Sequence, residues 1–207
     1  MVGPDFAYEQ AAYDRGATRV AGVDEVGRGP LAGPVTAAAV WLDPQDVPQD
    51  LNDSKRLSAA KRMALAEQLH QVADVSVGHA SVDEIDRLNI LNAAMLAMER
   101  AVTGLAIRAD FLLIDGNRLP RQIDVPARAI VRGDAASASI AAASIVAKVA
   151  RDRIMVDLAQ QHPGYGWERN VGYPTKEHQR ALLNMGATPH HRRSFKPVHN
   201  ILYQGNN

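Results

Sequence analysis

The sequence predicts an α/β domain, because segments typical of strands alternate with segments typical of helices along most of the chain. Its 207 residues include 46% apolar residues, enough to fill a substantial core. Cysteine is missing from the sequence, which excludes disulfides, thiolate zinc sites and a cysteine nucleophile. Several of the predicted strands also end in acidic residues. We therefore expect one domain of the α/β class whose chemistry depends on oxygen ligands.

The first half of the chain begins with a predicted hairpin. "TRVAGVDEV" and "PVTAAAVWL" are β-branched, apolar runs separated by a turn rich in glycine and proline. Ser58 is a suitable N-cap for a helix extending to about Val72, with Leu65 and Leu69 spaced to share one face. "ADVSVGHA" then predicts a third strand.

The middle of the chain contains two predicted helices followed by two predicted strands. Ser81 and Glu84 have the spacing of a capping box, and "ILNAAMLAMERAV" predicts a longer helix ending near Gly104. "DFLLID" is typical of a buried strand and ends in Asp115. "ARAIV" predicts another strand, which is terminated by "RGD".

The last part of the chain contains a long predicted helix, from Ser137 to about His162, rich in small residues suited to packing against a sheet. "HPGYGWERNVGYPT" is interpreted as a glycine-rich loop, and Thr175 as the N-cap of a last helix ending near Gly186. We expect residues 1–177 to form the catalytic body. Residues 178–207 are expected to form a basic, helical or irregular appendage packed on the same domain.

The charge distribution and hydropathy restrict the setting of the protein. The formal net charge is zero, but four basic residues and no acidic residue follow Glu177, a modest indication of nucleic-acid contact. Neither a signal-peptide pattern nor a run of 18 apolar residues occurs. No sustained heptad pattern is found either. These features predict a cytoplasmic, monomeric protein without a membrane partner.

Four carboxylates follow three predicted strands: Asp24 and Glu25, then Asp115, then Asp134. Ionised carboxylates at neighbouring strand ends would repel one another unless a cation lay between them. Oxygen ligands favour Mg²⁺ or Mn²⁺. The alternative is that each acid is an ordinary solvated turn residue. Adjacent strand residues also point to opposite faces, so Asp24 and Glu25 can share a site only if the strand bends, which Gly27 would permit.

Three other motifs are excluded by their details. "GVDEVGRG" has the glycine spacing of a phosphate-binding loop, but Arg28 and Gly29 replace the required Lys-Ser/Thr pair. Ser58 and Lys61 copy a Ser-x-x-Lys motif without its companion motifs. His190 and His191 are adjacent and lack the spacing of zinc ligands on a helix.

Taken together, the motifs resemble those of the ribonuclease HII family, within the type 2 ribonucleases H. The resemblance begins with "GVDEVGRGPLAGP" and continues through "LNDSKRLS", "LLIDGN", "RGDAASASIAAASIVAKVARD", "GYPTKEH" and "HRRSFKPV". It covers about residues 21–198 and implies a ribonuclease H-like fold with a mixed five-stranded sheet flanked by helices. The implied activity is endonucleolytic cleavage of RNA in RNA–DNA hybrids, including single ribonucleotides embedded in duplex DNA.

The resemblance also implies roles for individual residues. Asp24, Glu25, Asp115 and Asp134 correspond to the four metal-binding acids of the family. Gly27, Arg28 and Gly29 correspond to its loop that reads the ribose 2′-hydroxyl, the group that distinguishes RNA from DNA. Tyr173 corresponds to the tyrosine that stacks on the sugar at the RNA–DNA junction, and Lys55 to a phosphate contact. Asp152 is interpreted as structural and paired with an arginine, while Ser139 and Ser144 are more typical of helix packing than of phosphate binding.

These roles predict a two-metal hydrolysis with Mn²⁺ or Mg²⁺, in which ions about 4 Å apart activate water and stabilise the departing 3′ oxygen. Cleavage on the 5′ side of the ribonucleotide would leave a 3′-hydroxyl and a 5′-phosphate. Two alternatives stay open, another two-metal nuclease and a non-catalytic hybrid-binding module. The first would not need a 2′-hydroxyl reader, and the second would not need four acids.

Overall fold

The computed structural model describes residues 3–203, in which five strands form a single mixed sheet. The order across the sheet is β3-β2-β1-β4-β5. β1 pairs antiparallel with β2 and parallel with β4, β2 pairs antiparallel with β3, and β4 pairs parallel with β5. In chain order the strands are β1 (Val20–Val26), β2 (Val35–Trp41), β3 (Asp74–Ala80), β4 (Phe111–Asp115) and β5 (Ala127–Ile130). The predicted hairpin and the five-stranded mixed sheet are confirmed.

Helices flank the sheet on both faces. The eight α-helices of the described residues are α1 (Ala7–Tyr13), α2 (Ala59–Val72), α3 (Val82–Leu88), α4 (Ile90–Thr103), α5 (Ala138–Gln161), α6 (Trp167–Asn170), α7 (Lys176–Met185) and α8 (Lys196–Tyr203). The predicted caps are confirmed: Ser58, Ser81 and Thr175 each accept a backbone N–H at the start of a helix, and Ser137 does the same for α5.

Helix α5 is the main element on one face of the sheet, and α4 is the main element on the other. Ala38 and Val40 of β2 belong to an apolar cluster with α5 and α2, whereas Ala21 and Val23 of β1 belong to a cluster with α4. Close approach requires small residues. A Cβ at Gly22 would lie 2.1 Å from the backbone of Ser139, so α5 could not pack against β1 with a larger residue there.

Three helices differ from the sequence expectations. α1 was not predicted, α6 interrupts the segment interpreted as a loop, and α8 follows the helix interpreted as the last one. α1 begins at Phe6 without a side-chain cap, so the usual signal of a helix start is missing. α6 is four residues long and is bounded by left-handed residues on both sides.

The C-terminal elements share a third apolar cluster with the end of α5. Met155 and Leu158 of α5 pack with Trp167 of α6, Leu182 of α7 and Val198 of α8. The division into residues 1–177 and an appendage of residues 178–207 packed on the same domain stays a prediction. Residues 1–2 and 204–207 lie outside the described part of the chain. Between residues 3 and 203, no helix is both long and apolar enough to cross a membrane.

Candidate active site

The sheet places three acidic residues at one edge. β1 and β4 run parallel and pair up to Val23 and Ile114, and β4 and β5 pair up to Asp115 and Ile130. Asp24 and Asp115 therefore lie at the same end of adjacent strands. Asp134 follows β5 within a short 3₁₀ turn, Gly133–Ala135, that leads into α5.

The strand that carries Asp24 and Glu25 does not bend at these two residues. β1 remains in register with β2 through Val26, and the left-handed turn comes afterwards, at Gly27 with φ of 92°. The expected bend at the acids was therefore wrong. The strand pleat directs the two side chains to opposite faces, and the backbone N–H of Glu25 donates to Asp24 Oδ1 at 2.7 Å.

The acids influence one another's pKa values although the side chains of Asp24 and Glu25 point to different faces of the sheet. Burial raises the pKa of Asp24 well above its usual range, and the neighbouring charges of Glu25 and Asp115 raise it further. Burial also raises the pKa of Glu25, against the opposing effect of Arg28, and Asp115 again contributes to the increase. Asp115 itself has a raised pKa, first through burial and then through Asp134. These effects indicate negative charge that protein cations only partly balance.

Polar contacts hold the acids in place. Asp115 Oδ1 accepts the backbone N–H of Gly133 at 2.7 Å, which ties β4 to the turn carrying Asp134. Arg28 donates to Glu25 Oε1 at 3.1 Å. Asp134 is 9% exposed, and its Oδ2 lies 3.6 Å from Lys55 Nζ. The ammonium group of Lys55 thus lies beside Asp134, on the solvent side of the acidic residues.

Lys55 forms an ion pair with Asp134, and its side chain is 80% exposed. Partial burial opposes protonation, but the charges of Asp134, Asp53 and Asp24 outweigh it and raise the pKa of Lys55. Asp53 caps the 3₁₀ turn that carries Lys55 by accepting the N–H of Lys55 at 2.9 Å. Because most of its side chain is exposed, the ammonium group of Lys55 is open to solvent as well as close to Asp134.

The donor chemistry at this edge fits a hard divalent cation. All four candidate ligands are carboxylates, and two of them, Asp24 and Asp134, are buried. Carboxylate oxygens favour Mg²⁺, Mn²⁺ or Ca²⁺ over softer metals. Across residues 3–203, no three imidazole and carboxylate groups are already arranged as a complete metal site.

The loop Gly27–Gly29 is held from below by two buried arginines. Arg192 donates to the carbonyl oxygens of Gly27 at 2.6 Å and Arg28 at 3.0 Å. Arg151 fills the space beside Gly27, where a Cβ would lie 2.1 Å from its Nε. Glycine is therefore required at position 27 both by its positive φ and by this contact.

Both arginines are fully buried, and the bonds of their guanidinium groups run to backbone carbonyls. Arg151 donates to the carbonyls of Pro34, Ala32 and Val171. Burial lowers the pKa of Arg151 to about 10, and burial together with the charge of Arg151 lowers that of Arg192 to about 9.

These two arginines are site residues that the sequence reasoning missed. Arg192 was counted only as one of the four basic residues after Glu177, whereas its side chain is buried. Arg151 lies in the motif "AKVARD" and Arg192 in "HRRSF". Their places in these family motifs were the signal that could have identified them.

Tyr173 lies beside the same loop. Its side chain is 42% exposed, and a Cβ on Gly29 would come 3.2 Å from its Cε1. The left-handed residues Val171 and Gly172 turn the chain just before it. The structure thus brings the glycine loop and Tyr173 together, and it places the loop directly after the strand that carries Asp24 and Glu25.

The remaining candidates have structural partners. Asp152 bonds Lys148 Nζ at 2.7 Å, so its expected partner, an arginine, was wrong and a lysine one helical turn earlier takes that role. Ser139 Oγ donates to the buried Glu9 at 2.6 Å, and Ser144 bonds Ser54 at 3.0 Å. Glu9 also accepts from Ser137 and thereby fixes the start of α5 next to the Asp134 turn.

Comparison with known proteins identifies relatives over nearly the whole chain. The family model described as ribonuclease HII matches residues 21–198. The ribonuclease HII of Cereibacter sphaeroides (strain ATCC 17029) is 68% identical over 201 residues, covering 97% of this chain and 95% of that protein.

Solved structures share the fold. The ribonuclease H2 of Pyrococcus horikoshii OT3 superimposes with a TM-score of 0.76 at 26% identity, covering 91% of this chain and 99% of the other. Bst-RNase HIII in complex with Mn²⁺ has a TM-score of 0.73 at 18% identity, covering 94% of this chain and 72% of its own, and this likeness concerns the fold alone.

Proposed function

This chain belongs to the ribonuclease HII family, and on that premise we propose that it cuts RNA–DNA hybrids and also duplex DNA containing one ribonucleotide, on the 5′ side of that nucleotide. Membership makes it a metal-dependent endonuclease of the ribonuclease H type. The observation that carries the finer proposal is the position of the Gly27–Gly29 loop, directly after the acidic end of β1 and beside Tyr173.

The four acids Asp24, Glu25, Asp115 and Asp134 would hold the divalent ions. The raised pKa values of Asp24, Glu25 and Asp115 support this role, since these three acids form a partly desolvated group of like charges that a cation would stabilise. When bound, two Mg²⁺ or Mn²⁺ ions supply an activated water and stabilise the leaving oxygen. The fold neighbour Bst-RNase HIII binds Mn²⁺, which makes Mn²⁺ a reasonable first metal to test.

The chain's own groups would orient the nucleic acid. Gly27 and Gly29 carry no side chain, so their backbone can approach a ribose closely. The exposed ring of Tyr173 would stack on the sugar and contact the 2′-hydroxyl. Lys55 would leave Asp134 for a phosphate oxygen, and so place the scissile phosphate over the acids. No protein nucleophile is needed for this reaction.

The two alternatives are less well supported. Another two-metal nuclease that cuts DNA alone would have no use for a tightly held glycine loop against Tyr173. A non-catalytic hybrid-binding module would place four acids where a polyanion must approach, which costs binding energy unless cations are bound there.

The experiment is cleavage of a duplex that carries one ribonucleotide, with all-DNA and all-RNA duplexes as controls. We expect a single cut with Mg²⁺ or Mn²⁺, a 3′-hydroxyl on the upstream fragment, a 5′-phosphate on the ribonucleotide and no product in EDTA. Cleavage of the all-DNA duplex at a similar rate would favour the DNA nuclease. Tight binding of the ribonucleotide duplex without any product would favour the binding module.

A further inference from the structure

Tyr173 is the aromatic residue next to the glycine loop, and its backbone is fixed from two directions. Its N–H donates to the carbonyl of Asn170 at 2.9 Å, and its carbonyl accepts the N–H of Thr175 at 2.8 Å. The same carbonyl makes a second contact, with Nδ1 of His178 at 2.9 Å. His178 therefore contacts the backbone of Tyr173 and makes no hydrogen bond with its side chain.

His178 in turn belongs to a buried chain of donors. Trp167 Nε1–H donates to His178 Nε2 at 3.0 Å, and His191 Nε2 lies 3.0 Å from the same atom. At the far end, the backbone N–H of Thr188 donates to His191 Nδ1 at 2.9 Å. Both imidazoles are fully buried.

The direction of every bond in this chain follows from its two ends. Because a backbone N–H can only donate, Nδ1 of His191 must accept, and its proton lies on Nε2. Indole Nε1 also only donates, so Nε2 of His178 carries no proton. This Nε2 accepts the hydrogen bond from Trp167 and shares its lone pair with the bond from His191 Nε2–H. The remaining proton of His178 lies on Nδ1 and points at the carbonyl of Tyr173, which can only accept.

The chain works only when both imidazoles are neutral. A proton added to His178 Nε2 would face the N–H groups of Trp167 and His191 with no acceptor. Burial, together with neighbouring histidines, lowers the pKa of His191 to about 3, and burial lowers that of His178 as well. The ordered tautomers therefore persist across the neutral range.

We propose that His191 and His178 form a positioning relay that sets the Tyr173 backbone, and with it the place of the phenol ring against Gly29. The relay rests on the proposed function, because Tyr173 is taken to read the ribose. It would act on the discrimination of a single ribonucleotide and much less on the cleavage step at the acids. His178 and His191 are thus positioning residues and do not touch the substrate.

Two substitutions of His178 separate its two contacts. An asparagine amide can occupy the place of Nδ1 and an ε-amide of glutamine the place of Nε2. His178→Asn therefore retains a donor to the Tyr173 carbonyl and loses the acceptor for Trp167. His178→Gln retains that acceptor and loses the donor to Tyr173. Both replace one buried imidazole by one amide, so general damage to packing should be similar.

The measurement is the ratio of kcat/KM on a one-ribonucleotide duplex to kcat/KM on a long RNA–DNA hybrid. With His178→Gln we expect this ratio to fall about tenfold, the effect of losing one well-placed buried hydrogen bond. His178→Asn should keep it within about threefold of the wild type. In a Tyr173→Ala background, His178→Gln should change the ratio no further, because the two residues act through one contact.

Three results would overturn the relay: equal loss on both substrates, equal ratios in His178→Gln and His178→Asn, or a His178→Gln effect that persists without the Tyr173 ring. If His178→Gln fails to fold, His178→Leu also removes the donor to the Tyr173 carbonyl and should lower the ratio in the same direction relative to His178→Asn. Failure of the proposed function is distinct, since wild-type protein would then not cut the one-ribonucleotide duplex at all.

Discussion

The acidic edge and the loop that faces it are built in opposite ways. At the edge, Asp24, Glu25 and Asp115 are partly or fully desolvated and repel one another, so their pKa values are raised. Under the loop, Arg151 and Arg192 are equally buried, but backbone carbonyls accept their donors.

The contrast separates two tasks. Carboxylates whose negative charge is not fully balanced by protein cations have affinity for a metal ion. Without the ion, their mutual repulsion lowers the stability of the fold. Charges that are fully hydrogen-bonded rigidify a backbone and provide shape. Damage to the edge should therefore remove activity and spare the fold, whereas damage below the loop should reduce stability and substrate selectivity together.

The largest expected effect concerns the acidic edge. Asp115→Asn should lower cleavage at least about a hundredfold, because even second-layer partners of a metal site are worth 10- to 100-fold. The amide oxygen can still accept the Gly133 N–H. In EDTA the variant should unfold at the same or a higher temperature than the wild type, because one repelling charge is removed. Rate and thermal unfolding measure the two effects.

The control for Asp115→Asn is Asp124→Asn, which removes an exposed acid from the segment between β4 and β5. It should leave both rate and stability unchanged. A large loss of stability in Asp115→Asn would contradict the distinction between the two regions, and nearly full activity would contradict its role as a metal ligand.

The next effect concerns the support of the loop. Arg192→Gln removes the guanidinium donor to the carbonyls of Gly27, Arg28 and Gly33, while the Pro34 carbonyl keeps its bond from Arg151. We expect a loss of about 3 kcal/mol in the free energy of unfolding, as is usual for breaking a buried, charged hydrogen-bond group. Cleavage at a single ribonucleotide should fall more than cleavage of a long hybrid.

Arg193→Gln is the matched control, because it removes the same charge from the adjacent, exposed residue. Denaturant unfolding and the two cleavage rates should both stay near wild-type values in this variant. If Arg193→Gln reproduced the Arg192→Gln phenotype, the tail would act through its charge and the loop support would be of minor importance.

The acidic edge and the buried His178–His191 pair should respond to pH in opposite directions. Burial first, and then the neighbouring His178, His190 and His162, lower the pKa of His191 to about 3. Its contribution to stability is complete above the ordinary histidine pKa of about 6.5 and is lost as pH falls from there toward 3. Asp24 has a raised pKa, so its contribution is complete below about pH 4 and is lost as pH rises.

Thermal unfolding in EDTA between pH 4 and 8 checks these signs. Asp24→Asn should flatten the decline toward high pH, and His191→Phe should flatten the decline toward low pH. Saturating Mg²⁺ or Mn²⁺ should remove the first decline and leave the second, because a cation offsets only the carboxylate repulsion. Identical pH profiles for both variants would refute the assignment.

The same contrast explains which parts could be predicted from the sequence. The acids stand at the ends of β-branched runs, and Ser58, Ser81, Ser137 and Thr175 stand just before their helices, so local chemistry was sufficient. Family motifs then added the glycine loop, Tyr173 and Lys55. The roles assigned to these residues remain predictions.

The supports of the loop could not be predicted because they are contacts over long sequence distance. Arg192 and Gly27 are 165 positions apart, and nothing local distinguishes Arg192 from the exposed Arg193 beside it. The partner of Asp152 is a different case, because Lys148 is a local contact one helical turn earlier and the arginine was simply the wrong expectation. The direction of the His178–His191 bond follows only from Thr188 and Trp167.

The smallest expected effect concerns Lys55, which lies next to Asp134. Its exposed ammonium group is 3.6 Å from Asp134, a pair that contributes less than about 1 kcal/mol to stability. If Lys55 moves to a substrate phosphate, Lys55→Ala should raise KM about two- to fivefold and lower the salt dependence of binding by about one phosphate contact. Lys61→Ala, which breaks an exposed pair with Asp50, is the control. A change in kcat with KM unaltered would instead mean that Lys55 tunes the carboxylates, and would place it with the acidic edge.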